Sequence, residues 1–340
     1  MKSYRKIMLI IIVLIWAAYP VFSQSLADLK KNVDEFTDKI SQSLPFNSTI
    51  GLNWSDAYIG NITDVPRHFG VGISTGLTNM DINSIGNLLD CFNLGLPLFD
   101  LNKKYSDLGL LLPCYTVEAR IGGVKIPFDV GLKAGFLHQN VIKDLFDIFD
   151  YGLQQMLFGA DVRYCIVSQK VIALRFSVGL GFNYLQGSLI NTIPSAQSYA
   201  FTYNGSNHRL NAEPNSKASI EWRTINVEFK PQISFPFKFI TPYAGAGVSY
   251  AWSRAGYRVK TSKLTQSGNI NDLENILKEE YKLTRISSTG FETLNKFNNI
   301  GARAFGGASI NIAHFRIDIT GMYELFDGYY GATVGLRFQL

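Results

Sequence analysis

Apolar residues recur at every second position through most of this 340-residue sequence. From Ile172 to Tyr184 every even position is apolar, whereas the odd positions hold small or polar residues. Successive side chains of a β-strand point to opposite faces, so such a segment has one apolar face and one small or polar face. The alternation predicts ten strands, at about 69–78, 115–122, 128–137, 158–167, 172–185, 219–231, 240–252, 302–312, 314–325 and 329–340. In 219–231 the apolar positions change from even to odd after Trp222, which predicts a β-bulge near Thr224.

The links between these strands alternate between long and short, apart from the last hairpin. Links 79–114, 186–218 and 253–301 are long, whereas 123–127 and 168–171 are short. Outer-membrane barrels have long extracellular loops and short periplasmic turns. The pattern therefore predicts an all-β fold, a transmembrane antiparallel β-barrel of about ten strands with both ends of the barrel sequence on the periplasmic side.

Aromatic residues fall near the predicted strand ends. Tyr184, Trp222, Trp252 and Tyr330 are predicted to form a girdle at the extracellular ends, because aromatic rings settle at the level of the lipid headgroups. A ten-stranded interior has no room for several bulky side chains from every strand. The glycine-rich, charged face is therefore expected inside and the apolar face outside.

The last strand carries a short motif. It is apolar at alternate positions up to Leu340 and contains Thr333-x-Gly335-x-x-Phe338-x-Leu340, a polar residue, a glycine and two apolar or aromatic residues. In this motif the sequence resembles bacterial outer-membrane β-barrel proteins, whose C-terminal assembly signal ends most often in Phe rather than Leu. The resemblance covers the strand pattern of residues 69–340. It implies insertion into the outer-membrane bilayer by the barrel assembly machinery, and no particular activity.

The predicted inward face carries more basic than acidic side chains. An unpaired charge in a narrow interior is costly, so most of them are expected to pair across strands. Two interpretations stay open: a closed barrel rigidified by salt bridges, or a polar pathway that favours small anions. In the second case Arg120, Lys133, Arg163 and Arg175 would set selectivity. The complete set is Glu118, Arg120, Asp129, Lys133, Asp161, Arg163, Arg175, Glu228, Lys230, Arg303, Arg316, Asp318, Glu324 and Arg337.

The N-terminus has the features of a secretory signal. Three basic residues precede the apolar run Ile7–Ala18, and small residues follow, which predicts a signal peptide at 1–23 and cleavage before Gln24. Loss of those basic residues lowers the formal net charge from +5 to +2. Because the remaining chain has no long basic patch, nucleic acid is not an expected partner.

Residues 24–68 precede the predicted barrel, which spans 69–340. Apolar residues at three- and four-residue spacing from Leu26 to Leu44 predict a short amphipathic helix, which we expect on the periplasmic side. Trp54 and Tyr58 follow in a stretch rich in glycine, asparagine and aspartate and could plug the lumen.

The sequence carries no recognisable catalytic motif. It has no metal-type Cys/His spacing, no Asp-x-His pair of the kind found in barrel proteases and no Gly-x-Ser-x-Gly, so neither an enzyme nor a metal or other cofactor is expected. Three cysteines are an odd number: Cys91 and Cys114 flank one loop and could pair, and Cys165 is expected as a buried thiol in a strand.

Passive transport is the function that these features favour. The barrel would be a narrow channel for small solutes, or an uptake port for hydrophobic ones through loop helices predicted at 141–157 and 271–281. The alternative is a surface-exposed adhesin or structural barrel with a closed, salt-bridged lumen. Its long loops 186–218 and 253–301 would then bind a partner such as a host surface ligand.

Overall fold

The computed structural model describes residues 23–65, 67–80, 110–137, 152–169, 174–203, 206–266, 278 and 283–340. One helix, α1 (Leu26–Asn47), precedes ten strands that form a closed sheet with antiparallel neighbours. The sheet closes between the last and first strands, where Val334 lies opposite Thr75. The predicted ten-stranded barrel with an N-terminal helix is thereby confirmed. The strands are β1 (Phe69–Met80), β2 (Leu110–Gly122), β3 (Phe128–Leu137), β4 (Gly152–Gln169), β5 (Leu174–Ile193), β6 (Ser216–Ser234), β7 (Ile240–Lys260), β8 (Gly290–Ile312), β9 (Phe315–Glu324) and β10 (Tyr330–Gln339).

A belt of apolar side chains surrounds the barrel. Outward residues such as Val117, Leu180 and Val248 are 64%, 62% and 55% exposed, and similar residues occur on all ten strands. A continuous exposed apolar surface of this size is stable only when lipid covers it. The chain is therefore an outer-membrane β-barrel, and the bilayer surrounds this belt.

Several strands extend well beyond the belt at the end with the long loops. β7 continues to Lys260 and β8 begins at Gly290, whereas the alternation predicted a strand end at 252 and a strand start at 302. Twenty-one residues at about 3.3 Å each make β7 roughly 70 Å long, against an apolar band of about 25 Å. The extensions stand outside the bilayer, so outward residues such as Arg258 are polar and inward residues such as Tyr257 are apolar. The apolar positions thus change phase at the edge of the belt, and the pattern of the membrane part ends there.

The prediction of a bulge in β6 is wrong. β6 keeps the same register against β5 and against β7, with no shift at Thr224, and its even-numbered residues face inward along its whole length. Trp222 consequently lies inside the barrel, 5% exposed, and is not part of the aromatic girdle. The apolar positions change phase because the interior is apolar around Trp222 and polar around Glu228, while the strand geometry stays the same. An irregularity occurs instead between Cys165 and Val167, where β4 pairs with β5.

The prediction of a periplasmic helix is also wrong. α1 lies at the long-loop end of the barrel, where the carbonyl of Lys39 accepts a hydrogen bond from Tyr329 at 3.3 Å and Asp34 accepts one from Asn295 at 2.9 Å. Its apolar residues pack against the inner walls of β7 and β8. Amphipathic spacing shows only that one helix face is covered, not what covers it. Within the described ranges no helix is long and apolar enough to cross a bilayer.

The long-loop end contains further strands. The hairpin 197–212 pairs on one side with Ser23–Ser25, which precede α1, and on the other side with Leu264–Gln266, which follow β7. The helix predicted at 141–157 is wrong from Gly152 onward, because this part belongs to β4. The preceding residues and most of 271–281 lie outside the described residues. Cys114 and Cys165 are buried free thiols, and Cys91 and the signal peptide at 1–22 also lie outside the described part.

Candidate functional site: the occupied lumen

The barrel lumen is occupied by residues 48–60, which we call the lumen segment. Its residues from Ser48 to Ile59 are all buried, and it runs from the end of α1 to the short turn between β2 and β3. There the amide of Ile62 donates to the carbonyl of Gly123 at 2.8 Å. The chain thus passes through the whole lumen before β1 begins at the opposite end.

The wall around this segment carries the predicted inward charges. Two carboxylates and two arginines form the centre of the network: Arg120 bridges Asp129 at 2.5 Å and Asp161 at 2.6 Å, and Arg163 binds Asp129 at 2.8 Å. Lys230 adds a contact to Asp161 at 3.1 Å. All five side chains are almost completely shielded from solvent, so each charge depends on these partners.

Asp56 of the lumen segment is the counter-ion for three wall arginines. Its carboxylate lies 3.1 Å from Arg337, 3.3 Å from Arg175 and 3.3 Å from Arg316. Its backbone carbonyl also accepts a hydrogen bond from Arg163 at 2.6 Å. Arg337 has a second partner, the predicted inward residue Asp318 of β9, at 2.7 Å. The segment therefore supplies negative charge where the wall has excess positive charge.

Two wall lysines bind carbonyl groups of the segment. Lys133 donates to Ser48 at 2.9 Å and also to Ile50, and Lys230 donates to Leu52 at 3.3 Å. A buried ammonium without such acceptors would be strongly unfavourable. The segment backbone is consequently part of the charge network, even where it carries no charged side chain.

Trp54 fits into a space formed by the wall. Its indole nitrogen donates to Glu118 at 2.6 Å, and the guanidinium groups of Arg120 and Arg337 lie 5.5 Å and 4.6 Å from its ring centre. A side chain at Gly70 would come within 2.7 Å of this ring, so the glycine is needed for the close approach. Tyr58 follows lower in the lumen and donates to Asn61 at 2.6 Å.

The predicted girdle residues and the C-terminal motif lie away from the network. Trp252 faces outward at 48% exposure, and Tyr184 and Tyr330 are half-buried on the outer face. The C-terminal motif lies on β10, with Thr333 and Gly335 inward, and Phe338 and Leu340 at the short-turn end, where the amide of Leu340 donates to Phe69 at 3.0 Å. Within the described ranges, no three potential metal ligands come together.

The long-loop end has an apolar core of its own. Tyr199 of the hairpin packs edge-on against Phe291 at 5.2 Å, and Phe291 also contacts Tyr257. Burial raises the pKa of the Tyr199 phenol, so the ring stays neutral in this core. Phe36 and Ile40 of α1 belong to the same cluster, which makes this end a folded structure rather than a set of separate loops.

Sequence reasoning missed Asp56, the residue with the most wall contacts in the segment. One signal pointed to it: the predicted inner face had eight basic and six acidic residues, so two positive charges lacked partners. Asp56 is the only charged side chain between Ser48 and Gly60, the region where a plug was expected.

One family model and several solved structures match this chain. A family model described as Lsa36-like matches residues 68–340, and no curated protein matches the chain. The outer membrane protease OmpT from Escherichia coli is 8% identical with a TM-score of 0.40 over 81% of this chain and 97% of its own. A major outer membrane protein from Thermus thermophilus is 9% identical with a TM-score of 0.31, covering 80% of this chain and 99% of its own. Ail, the attachment invasion locus protein of Yersinia pestis, is 8% identical with a TM-score of 0.25, covering 80% and 97%. At these identities the likeness concerns the fold alone.

Proposed function

This chain belongs to the Lsa36-like family, and we propose that its barrel is closed and holds a folded binding surface outside the outer membrane. The observation that carries the proposal is the lumen segment, whose every residue from Ser48 to Ile59 is buried against the wall. We also propose that the chain is not an enzyme. The barrel in this proposal is an anchor, and the function resides at the long-loop end.

The bonding of the segment supports a permanent closure. A removable plug needs weak contacts, whereas Asp56 binds three arginines and the segment carbonyls hold Lys133 and Lys230. Releasing the segment would leave Lys133 without its acceptors, and Arg337 and Lys230 would each lose one of their partners, at a cost of several kcal/mol. The closed state is therefore strongly favoured over an open pore.

The long-loop end supports the binding role. Its hairpin 197–212, α1 and the extended strands β7 and β8 share one apolar core, so the outer surface of this end is held in a fixed shape. A preorganised surface loses little conformational entropy when a partner binds. We propose a macromolecular partner, because this surface is broad and stands clear of the bilayer.

Planar-bilayer recording tests the closure. We expect residues 24–340 to give no steady current and a variant lacking residues 24–68 to give discrete, anion-selective steps, because the wall then carries excess positive charge. In that truncated form, changing Arg163 and Arg175 to glutamine should shift the reversal potential toward cations. Steady conductance of the complete chain would overturn the closed barrel.

A loop exchange tests the binding role. Cells that display the protein should adhere to a cultured host-cell layer, and replacing 197–212 by a short glycine-serine turn should abolish adhesion. A heat-modifiable shift on gels controls for barrel folding in both forms. Equal adhesion of the two forms would place the binding surface elsewhere or exclude this function.

A second candidate is lateral uptake of hydrophobic solutes from the bilayer. The paired ladder between β2 and β3 ends at Val117 and Ala134, although both strands continue toward the long loops. An apolar depression of about 700 Å³ lies on the lipid-facing side of this seam, with Tyr115 and Phe136 in its lining. Uptake of a hydrophobic dye into vesicles that contain the complete chain, abolished by a disulfide across the seam, would favour this candidate over a closed anchor.

A further inference from the structure

Three basic side chains stand side by side on the outer face of the barrel. Arg254 of β7 lies directly opposite Arg223 of β6 and directly opposite Lys296 of β8. All three are exposed. Directly opposed residues of antiparallel strands have Cβ atoms about 5 Å apart, and like charges at such positions repel each other. The fold thus holds three positive charges together at an energetic cost.

None of these three side chains has a carboxylate partner among the residues that the structure describes. The contrast is Arg258, four residues beyond Arg254 on the same face of β7, which binds Glu221 at 2.8 Å and Glu292 at 2.7 Å. The two carboxylates are therefore already used. The patch contains four basic and two acidic side chains, so it keeps a net charge of +2 after these pairs are formed.

The cluster lies at the edge of the apolar belt. One step toward the membrane, the outward residues at the same level are Tyr184, Ile225 and Trp252. The next outward residues of β7 are Tyr250 and Val248, 39% and 55% exposed. Aromatic rings mark the headgroup level of a bilayer, so the three cations stand at the height of the outer-leaflet headgroups.

The surface at this height is concave. Arg223, Arg254 and Arg258 line a depression of about 340 Å³, together with Gln186 and Glu221. Amide and guanidinium groups around a depression suit an anion with several oxygen atoms. Acyl chains of the same molecule would lie over the apolar residues below.

We propose that Arg223, Arg254 and Lys296 form a binding site for the phosphorylated headgroup of an outer-leaflet lipid. The phosphate groups supply the negative charge that the three opposed cations lack, and the acyl chains cover the neighbouring belt. A basic cluster next to the bilayer surface binds anionic headgroups in this way. This site is separate from the occupied lumen and from the long-loop end proposed above to bind a macromolecule.

The test uses the complete chain without its signal peptide, folded in dodecyl maltoside and titrated with diphosphorylated lipid A. Changing Arg223, Arg254 and Lys296 together to glutamine should weaken binding roughly 100-fold, because each basic side chain near a charged bilayer surface contributes about a fivefold factor. Dephosphorylated lipid A should bind the unchanged protein equally weakly. Replacing both arginines by lysine should retain most of the affinity.

The chain offers a matched control. Lys217 and Lys260 are also outward, exposed and directly opposed on β6 and β7, about 20 Å further along the strands on the side away from the membrane. Changing both to glutamine should leave the affinity within twofold. A heat-modifiable gel shift verifies folding, and Arg254→Gln alone, with an expected fivefold to tenfold loss, replaces the triple variant if that variant does not fold.

Three outcomes would overturn the proposal. They are equal affinity of the glutamine variant and the unchanged protein, an equal loss in the control variant, and binding of pyrophosphate alone as tight as that of lipid A. The last would identify a site for free phosphate compounds instead of a lipid. This experiment measures neither conductance nor adhesion, so its failure would not contradict the proposed function.

Discussion

Asp56→Asn is the substitution that tests the closed lumen most directly. It keeps the size and one hydrogen-bond acceptor of the side chain and removes the single negative charge of the lumen segment. Three arginines lie within 3.3 Å of this carboxylate, which is itself 1% exposed. We expect the segment to detach from the wall more often in the variant.

The magnitude follows from the environment of each arginine. Arg337 is 2% exposed, so its contact is a buried ion pair, and breaking such a pair by removing one partner costs about 3–5 kcal/mol. Arg175 and Arg316 are 32% and 21% exposed, and water screens their charges, so they add little. Because Arg337 also binds Asp318 at 2.7 Å and can still donate a hydrogen bond to asparagine, we expect the low end, about 3 kcal/mol. That value corresponds to roughly a 100-fold rise in the detached population.

The assay is the open probability in planar bilayers, combined with guanidinium unfolding in detergent. The variant should open transiently about 100 times as often as the unchanged protein, and its unfolding midpoint should fall. Asp64→Asn is the matched control, because Asp64 follows the lumen segment and is exposed. Substitutions at such a position change stability by less than about 0.5 kcal/mol.

Identical behaviour of Asp56→Asn, Asp64→Asn and the unchanged protein would contradict a role of Asp56 in closing the lumen. It would mean that the arginines are satisfied without Asp56 and that other contacts hold the segment. A variant that conducts steadily would show instead that Asp56 contributes most of the closure.

Three further predictions concern the packing at Gly131, the positions of Trp222 and Trp252, and the location of the residues before α1. Gly131→Ala should destabilise the barrel by about 1–3 kcal/mol in guanidinium unfolding, because a methyl group there would come within 2.5 Å of the Asp161 carboxylate, whereas Gly181→Ala, with its nearest atom at 3.7 Å, should change little. Brominated lipid should quench a protein whose one tryptophan is Trp252 but not one that keeps only Trp222, since these are 48% and 5% exposed; equal quenching would contradict the inward position. An epitope inserted after Gln24 should bind antibody on intact cells, because Ser23–Ser25 pairs with the hairpin at the long-loop end; labelling only after the outer membrane is permeabilised would contradict the threaded topology.

The barrel itself was predictable from the sequence. A strand turns alternate residues to opposite sides, and at membrane depth one side is lipid and the other is a crowded polar lumen, so every strand there repeats the same pattern. The bounds of β3 agree with the prediction to the residue, and all ten strands were found. The inward position of Arg120, Asp129, Asp161 and Arg163 followed from the same alternation.

The alternation no longer indicated which face of a strand points outward where the interior is apolar or where water replaces lipid outside. Around Trp222 the interior is apolar, so an apolar residue no longer indicates the lipid side, and the prediction placed this residue on the wrong face. The strand extensions outside the bilayer were missed for the related reason that water replaces lipid on their outer side.

The position of the N-terminal segment became evident only in the folded barrel. Asp56 meets Arg175, Arg316 and Arg337, which are more than a hundred residues away in sequence. Such contacts have no sequence period, because they depend on how closure of the barrel arranges distant strands around one chain segment. The residue pattern alone predicts a barrel with excess positive charge inside, and the closed fold shows that residues of the same chain neutralise that charge.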